Sequence, residues 1–127
     1  MNARPGSSYK ILIVDDQYGI RVLLTEILQA EGYKTCEASN GIQALSIVKK
    51  EHPHLVLLDM KIPGMNGLEI LKQIKKESAD TKVMMMTAYG EVEMIESAMA
   101  NGAITYFDKP FEIDEVLAEI QKHLPMN

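Results

Sequence analysis

The chain contains no tryptophan, one cysteine and only two phenylalanines among its 127 residues. A lone thiol, Cys36, cannot close an internal disulfide, which fits a reducing compartment and excludes a disulfide-stapled scaffold. It falls in a strand candidate, where cysteine more often serves as a small buried hydrophobe than as a reactive group. No apolar stretch approaches the ~20 residues of a membrane span, and no signal-peptide pattern precedes Tyr9. The expectation is a cytoplasmic protein without a membrane partner. Basic charge is also scarce: 13 Lys and Arg face 18 Asp and Glu, for a net charge of -5. Non-specific nucleic-acid binding needs a basic surface to displace counterions, so nucleic acid is not expected as a partner.

What is present is a repeating alternation. Residues 1–8, with Arg4-Pro5-Gly6-Ser7-Ser8, carry no periodicity and read as a flexible leader, native or appended. Short apolar runs then recur at Lys10–Val14, Tyr33–Ala38, Leu55–Leu58, Val83–Met86 and Ala103–Phe107. Helical patterns separate them. Ile20, Leu23, Leu24, Ile27 and Leu28 follow the spacing of one helix face, and Gly32 is placed to end that helix. Gly41, Ala44, Leu45 and Val48 mark a second helix, stopped by Pro53. Asn66 should cap a third, with Glu69 as its capping-box partner and Ile70, Leu71 and Ile74 turned inward.

Glu91–Ala100 gives a thin stripe of Val92, Ile95, Ala98 and Met99, the least amphipathic of the set. Ile113, Val116, Leu117, Ile120 and Leu124 mark the last helix before Pro125. Five strands alternating with five helices imply an α/β doubly wound parallel sheet, one domain over residues 9–125.

The acids and bases sit where that architecture gathers function, outside the carboxyl ends of the strands. Asp15 and Asp16 end the first run and Asp59 the third; Thr87 follows the fourth, and Lys109 the fifth after one residue. Each piece alone has an ordinary explanation, a helix cap or a turn. Together, at the ends of four different strands, they read as a site for a hard divalent cation and a phosphoryl group. Mg²⁺ prefers oxygen ligands. Asp16 and Asp59 are the expected direct ligands, Asp15 acts through water, and the Lys61 backbone carbonyl completes the protein share. Mn²⁺ or Ca²⁺ are expected substitutes. Asp59 would attack phosphorus to give an acyl phosphate, while Thr87 and Lys109 bind phosphoryl oxygens.

Four segments then carry a resemblance: Ile13-Val-Asp-Asp-Gln17, Leu57-Leu-Asp-Met-Lys-Ile-Pro-Gly64, Met86-Thr-Ala-Tyr-Gly90 and Asp108-Lys-Pro-Phe111. From Lys10 to Leu124 the chain resembles the receiver domains of two-component response regulators, whose fold is flavodoxin-like. The resemblance implies Asp59 as phosphoacceptor, Asp15 and Asp16 as the acidic pair, Thr87 as switch hydroxyl and Lys109 as phosphate-sensing lysine. It also implies Tyr106 at the aromatic switch position, small Ala88 beside the acyl phosphate, and a cis peptide at Lys109-Pro110. Within the family, Asp15-Asp-Gln-Tyr-Gly-Ile-Arg21 and Asp59-Met-Lys-Ile-Pro-Gly-Met65 are most similar to the sporulation phosphorelay intermediates of endospore-forming bacilli. Tyr106 stands where those carry histidine, and Asp108 where a small neutral residue is expected.

The leading functional expectation is a phosphoryl carrier rather than a conventional enzyme, with Mg²⁺-dependent self-phosphorylation and slow autodephosphorylation. Its partners would be a sensor histidine kinase, a histidine phosphotransferase and an aspartyl-phosphate phosphatase, the carrier itself being monomeric. Docking would use Gln17, Tyr18, Gly19, Ile20 and Leu24 with Tyr89, Pro110, Phe111 and Ile113, although Ile20 and Leu24 could instead fill the core, which suits Leu24 better. The chain ends three residues after Leu124, so no output domain is expected.

The alternative is a chemotaxis-type switch whose phosphorylation alters partner binding, a reading favoured by the Thr87–Tyr106 pair. A haloacid-dehalogenase-type phosphohydrolase would want an acid at Lys61. A flavin carrier would find Asp15-Asp16-Gln17 repelling its phosphate. His52-Pro-His54 has a metal-ligand spacing but falls at a helix–strand junction, where a solvated turn is expected.

Overall fold

The computed structural model describes residues 9–87 and 92–125. The expected leader at 1–8, the helix start at Glu91, and both Ala88 and Tyr89 lie outside the described residues. Five strands alternate with five helices: β1 Lys10–Val14, α1 Tyr18–Ala30, β2 Lys34–Ala38, α2 Gly41–Glu51 and β3 Leu55–Asp59 come first. α3 Gly67–Glu77, β4 Lys82–Thr87, α4 Val92–Ala100, β5 Thr105–Asp108 and α5 Ile113–His123 complete the order. All strand pairings are parallel, in the order β2-β1-β3-β4-β5. The order reverses beside β1 and β3, the two strands that end in Asp15 and Asp59. That is where a doubly wound sheet opens a crevice.

Both faces of the sheet are covered, so β1, β3 and β4 carry unbroken apolar runs, with polar residues only at their ends, rather than alternating. Side chains still alternate in destination. Leu12, Val14, Val56, Leu58, Val83 and Met85 pack against α2, α3 and α4 through Ala44, Val48, Ile70, Leu71, Ile74 and Ala98. Ile11, Ile13, Leu55, Leu57, Met84 and Met86 pack against α1 and α5 through Leu24, Leu28, Val116 and Ile120. Each such aliphatic side chain contributes about 1.5–3 kcal/mol on full burial, which anchors the strand ends that carry the site.

The helix ends follow the expected chemistry. Asn66 Oδ1 accepts from the Glu69 amide at 2.8 Å, and Gly32 adopts φ 101° after α1. Two strands start later than expected for one reason, while β4 starts one residue early, at Lys82. The Tyr33 amide donates to Leu28 O at 3.1 Å, and that of Ala103 to Ala98 O at 3.0 Å. Both amides close helices, and β2 and β5 begin one and two residues later. α4 buries only Ala98, leaving Val92 and Met99 exposed, in keeping with its thin stripe.

At the opposite edge of the sheet, His54 Nδ1 accepts from the Lys10 amide at 3.0 Å, and its ring meets Tyr9 edge-on. His54 thus fastens β1 to the α2–β3 turn. Cys36 is half-buried, and burial pushes its thiol up to about 11, so it stays protonated. Among the described residues, no helix is long and apolar enough to cross a membrane.

Candidate functional site

β1 and β3 are hydrogen-bonded neighbours, and their ends bring three carboxylates together. One oxygen from each of Asp15, Asp16 and Asp59 lies within 4.8 Å of the others. Asp15 is fully buried, Asp59 is 6% exposed, and Asp16 faces solvent. Asp15 is held at both oxygens: the Gln17 amide donates to Oδ1 at 2.9 Å, and Lys109 Nζ donates to Oδ2 at 2.7 Å. Asp59 Oδ1 accepts from the Lys61 amide at 3.2 Å, and Lys109 Nζ lies 3.3 Å from its Oδ2. Arg21, to which sequence reasoning assigned no role, donates from Nη1 to the Asp15 carbonyl at 2.7 Å. Its Nε reaches Glu37 at 3.2 Å. Nothing in the local sequence marks that arginine as a brace.

The electrostatics follow from this packing. Burial raises the pKa of Asp59 above the ordinary carboxylate value, and the Asp15 charge raises it further. The Lys61 amide and Lys109 only partly oppose that rise. Burial disfavours the Lys109 ammonium, but the Asp15 hydrogen bond and the charges of Asp59 and Asp15 outweigh it and raise its pKa. The site therefore holds an excess of negative charge that one lysine does not satisfy. Clustered carboxylate oxygens, one of them solvent-facing, are the donor set a hard divalent cation takes.

Thr87 ends β4, one residue beyond the register partner of Asp59, and is fully buried. Its hydroxyl donates to Asp108 Oδ1 at 3.0 Å. Lys109 follows β5, with its amide donating to Thr87 O at 2.8 Å, and the Lys109–Pro110 peptide is cis.

The response regulator receiver domain family matches residues 11–121. This chain belongs to that family. It is 59% identical to sporulation initiation phosphotransferase F of Bacillus subtilis over 117 residues, covering 92% of this chain and 94% of that protein. It is 38% identical to the chemotaxis protein CheY of the same organism, covering 92% and 98% respectively. A CheY-like receiver domain protein from Methanospirillum hungatei superposes with a TM-score of 0.89 at 32% identity, covering 92% of this chain and 94% of that one. Receiver domains bind a divalent metal through an aspartate cluster, and Asp15, Asp16 and Asp59 form one here.

Beside Lys109, the receiver carries an apolar groove of about 410 Å³ between the start of α1 and the loop before α5. Gln17, Ile20, Leu23, Lys109, Pro110, Phe111 and Ile113 line it. Tyr18 is 72% exposed, with its ring 5.6 Å from the Arg21 guanidinium carbon, and open space surrounds Gly19.

Leu24, named both for this surface and for the core, is 1% exposed and packs in the α1–α5 core. One residue turns a helix by ~100°, so its neighbour Leu23 reaches the groove and is 44% exposed. Tyr106 projects from β5 at 42% exposure.

Gly67 was also invisible from sequence. A Cβ there would lie 2.5 Å from Met60 Cα and 2.8 Å from the carbonyl oxygens of Asp59 and Met60. Its amide donates to Met60 O at 2.8 Å. The start of α3 thus presses directly on the backbone carrying Asp59, and only glycine fits that approach.

Proposed function

We propose that this receiver is a phosphoryl carrier in a phosphorelay, accepting phosphate on Asp59 from a sensor histidine kinase and passing it to a histidine phosphotransferase. The likeness to sporulation initiation phosphotransferase F makes control of sporulation the process it serves. One observation carries the reading. Lys109 links the apolar groove to Asp59, because it lines the groove and its Nζ lies 3.3 Å from Asp59 Oδ2. A helix pair presenting a histidine could seat there with its imidazole directed at Asp59.

An oxygen of Asp59 attacks the phosphorus of a phosphohistidine; the new P–O bond forms as the P–N bond breaks and the imidazole keeps the electron pair. Onward transfer is the reverse, with the recipient's neutral imidazole as nucleophile. Lys109 offsets charge on a phosphoryl oxygen and Thr87 donates to another. Asp15 keeps Lys109 directed inward until phosphate arrives. Asp16 and Asp59 would hold Mg²⁺ directly, with Asp15 acting through water and the Lys61 carbonyl as a further donor; Mn²⁺ or Ca²⁺ would substitute. When bound, the ion supplies positive charge against the carboxylates and the phosphoryl oxygens. The same groove suits an aspartyl-phosphate phosphatase, and the reading places the protein in the cytoplasm as a monomer.

A second reading, the chemotaxis-type switch, is favoured by Tyr106, whose exposure on β5 offers a surface that phosphorylation could alter. A transfer assay separates them. The protein is loaded with labelled acetyl phosphate and Mg²⁺ and mixed with histidine phosphotransferases. Movement of label to histidine, reversible from the other side, establishes the carrier. Label retained on Asp59 against several such partners establishes the switch.

A further inference from the structure

The register of the last two strands sets Thr87 directly opposite Asp108. Two hydrogen bonds secure that corner: the Thr87 hydroxyl donates to Asp108 Oδ1 at 3.0 Å, and the Lys109 amide donates to the Thr87 carbonyl at 2.8 Å. Thr87 is fully buried whereas Asp108 is exposed, so the carboxylate approaches the hydroxyl from the solvent side of the corner. The Lys109 ammonium, although next in sequence, is engaged with Asp15 and Asp59.

A hydroxyl has one proton to donate. Thr87 cannot give it to Asp108 and to a phosphoryl oxygen on Asp59 at the same time. A carboxylate acceptor makes a charge-assisted bond, stronger than one to a neutral group, so the competition has weight. A small side chain at position 108 would offer no acceptor.

We propose that Asp108 is a positioning residue that holds the Thr87 hydroxyl in the unphosphorylated receiver, and that phosphorylation of Asp59 exchanges this acceptor for a phosphoryl oxygen. This rests on the reading that Thr87 contacts the phosphoryl group. No covalent bond changes in the exchange: the proton stays on Thr87 Oγ1, and its hydrogen bond moves from one anionic oxygen to another. Asp108 thereby resists occupancy of the site, because the phosphoryl group must displace it and then leaves its charge without the Thr87 proton. The resting and phosphorylated states are separated by a local contact that this chain supplies through its own residue at 108.

The test measures beryllofluoride affinity, as a phosphoryl mimic, in saturating Mg²⁺ by titration calorimetry. It compares the parent with Asp108→Ala, Asp108→Asn, Thr87→Val and the Asp108→Ala/Thr87→Val double variant. Melting curves check that each is folded; Asp108 is exposed and valine matches the shape of threonine. Asp108→Ala should bind about tenfold tighter, the scale of one hydrogen bond to a charged group. Asp108→Asn, which keeps an oxygen acceptor without the charge, should fall between Asp108→Ala and the parent. Thr87→Val should bind more weakly, and in that background Asp108→Ala should change nothing.

Unchanged affinity in Asp108→Ala, with Thr87→Val weakened, sinks the exchange while leaving Thr87 as a phosphoryl contact. A full tenfold gain that persists without the hydroxyl shows that Asp108 acts by charge alone, which also overturns the proposal. Parent-like affinity in Thr87→Val removes Thr87 from the phosphoryl site, and the exchange falls with it.

Discussion

Lys109 Nζ lies 2.7 Å from Asp15 Oδ2 and 3.3 Å from Asp59 Oδ2, so the lysine is bound more closely to Asp15 than to Asp59. Asp15 is fully buried and Asp59 nearly so, and the Lys109 side chain is 19% exposed. One ammonium thus bridges two of the three clustered carboxylates and leaves the site with net negative charge.

Removing that ammonium should move metal affinity and phosphoryl transfer in opposite directions. In Lys109→Ala, the carboxylates repel one another without compensation, and the chelated protein should melt lower than the parent. Mg²⁺ should bind severalfold tighter, because it no longer competes with a positive charge, and should recover much of the lost stability. Transfer of phosphate to a partner should nevertheless fall by about tenfold or more, since no ammonium remains to pair with the phosphoryl oxygen that the ion leaves uncovered. Calorimetric Mg²⁺ titration and label transfer check the two arms separately. Equal Mg²⁺ affinity in variant and parent would remove the proposed competition.

The pKa of Asp59 has a consequence for stability. Burial and Asp15 raise it above the ordinary value, so between the two values the folded chain binds more protons than the unfolded one. Stability from this group is then lost as pH rises through that window, and the penalty is complete above the folded value. Asp59→Asn removes the penalty. With metal chelated, the variant should be more stable than the parent at neutral pH, with the gain vanishing at pH values below the ordinary carboxylate range. It should also take no label from acetyl phosphate. Denaturant melts across pH measure the first effect. A gain that grows as pH falls would have the wrong sign.

Gly67 gives a prediction of a different kind. Gly67→Ala must push back the Met60 backbone and the Asp59 carbonyl, which no side-chain rotation relieves. The expected cost is about 2 kcal/mol or more, with slowed loading of Asp59 because the same backbone carries it. Urea denaturation and acetyl phosphate labelling test both. An alanine variant as stable and as readily labelled as the parent would show that the α3 contact is soft.

These residues also mark where the sequence was legible. Asp15, Asp16, Asp59, Thr87 and Lys109 could be placed because strand ends in a parallel sheet share one edge, a consequence of topology alone. The Gly67 contact spans a loop whose path depends on how α3 docks, and no periodicity encodes it. The Thr87–Asp108 bond needs the exact β4–β5 register, which two apolar runs of uncertain start do not specify. Arg21 had no marker because its partners, the Asp15 carbonyl and Glu37, come from two other segments. Leu23 and Leu24 are adjacent on a helix whose apolar stripe is wider than the core it meets, so the pattern left open which of them faced solvent.

That last pair yields the sharpest test of the docking surface. Leu24→Ala opens a cavity between α1 and α5 and should cost about 2–5 kcal/mol. Its effect on transfer should follow only from the fraction unfolded. Leu23→Lys keeps a good helix former at a half-exposed position and should cost about 1 kcal/mol or less. It places a strongly hydrated charge on the rim shared with Ile20, Pro110 and Phe111, where the proposed partner helix would seat. Transfer to a histidine phosphotransferase should therefore drop about tenfold relative to loading by acetyl phosphate, a small molecule that needs no docking surface. Transfer and loading that fall together would place Leu23 in the chemistry of the site rather than in its interface. Unchanged transfer would move the partner to another face of the receiver.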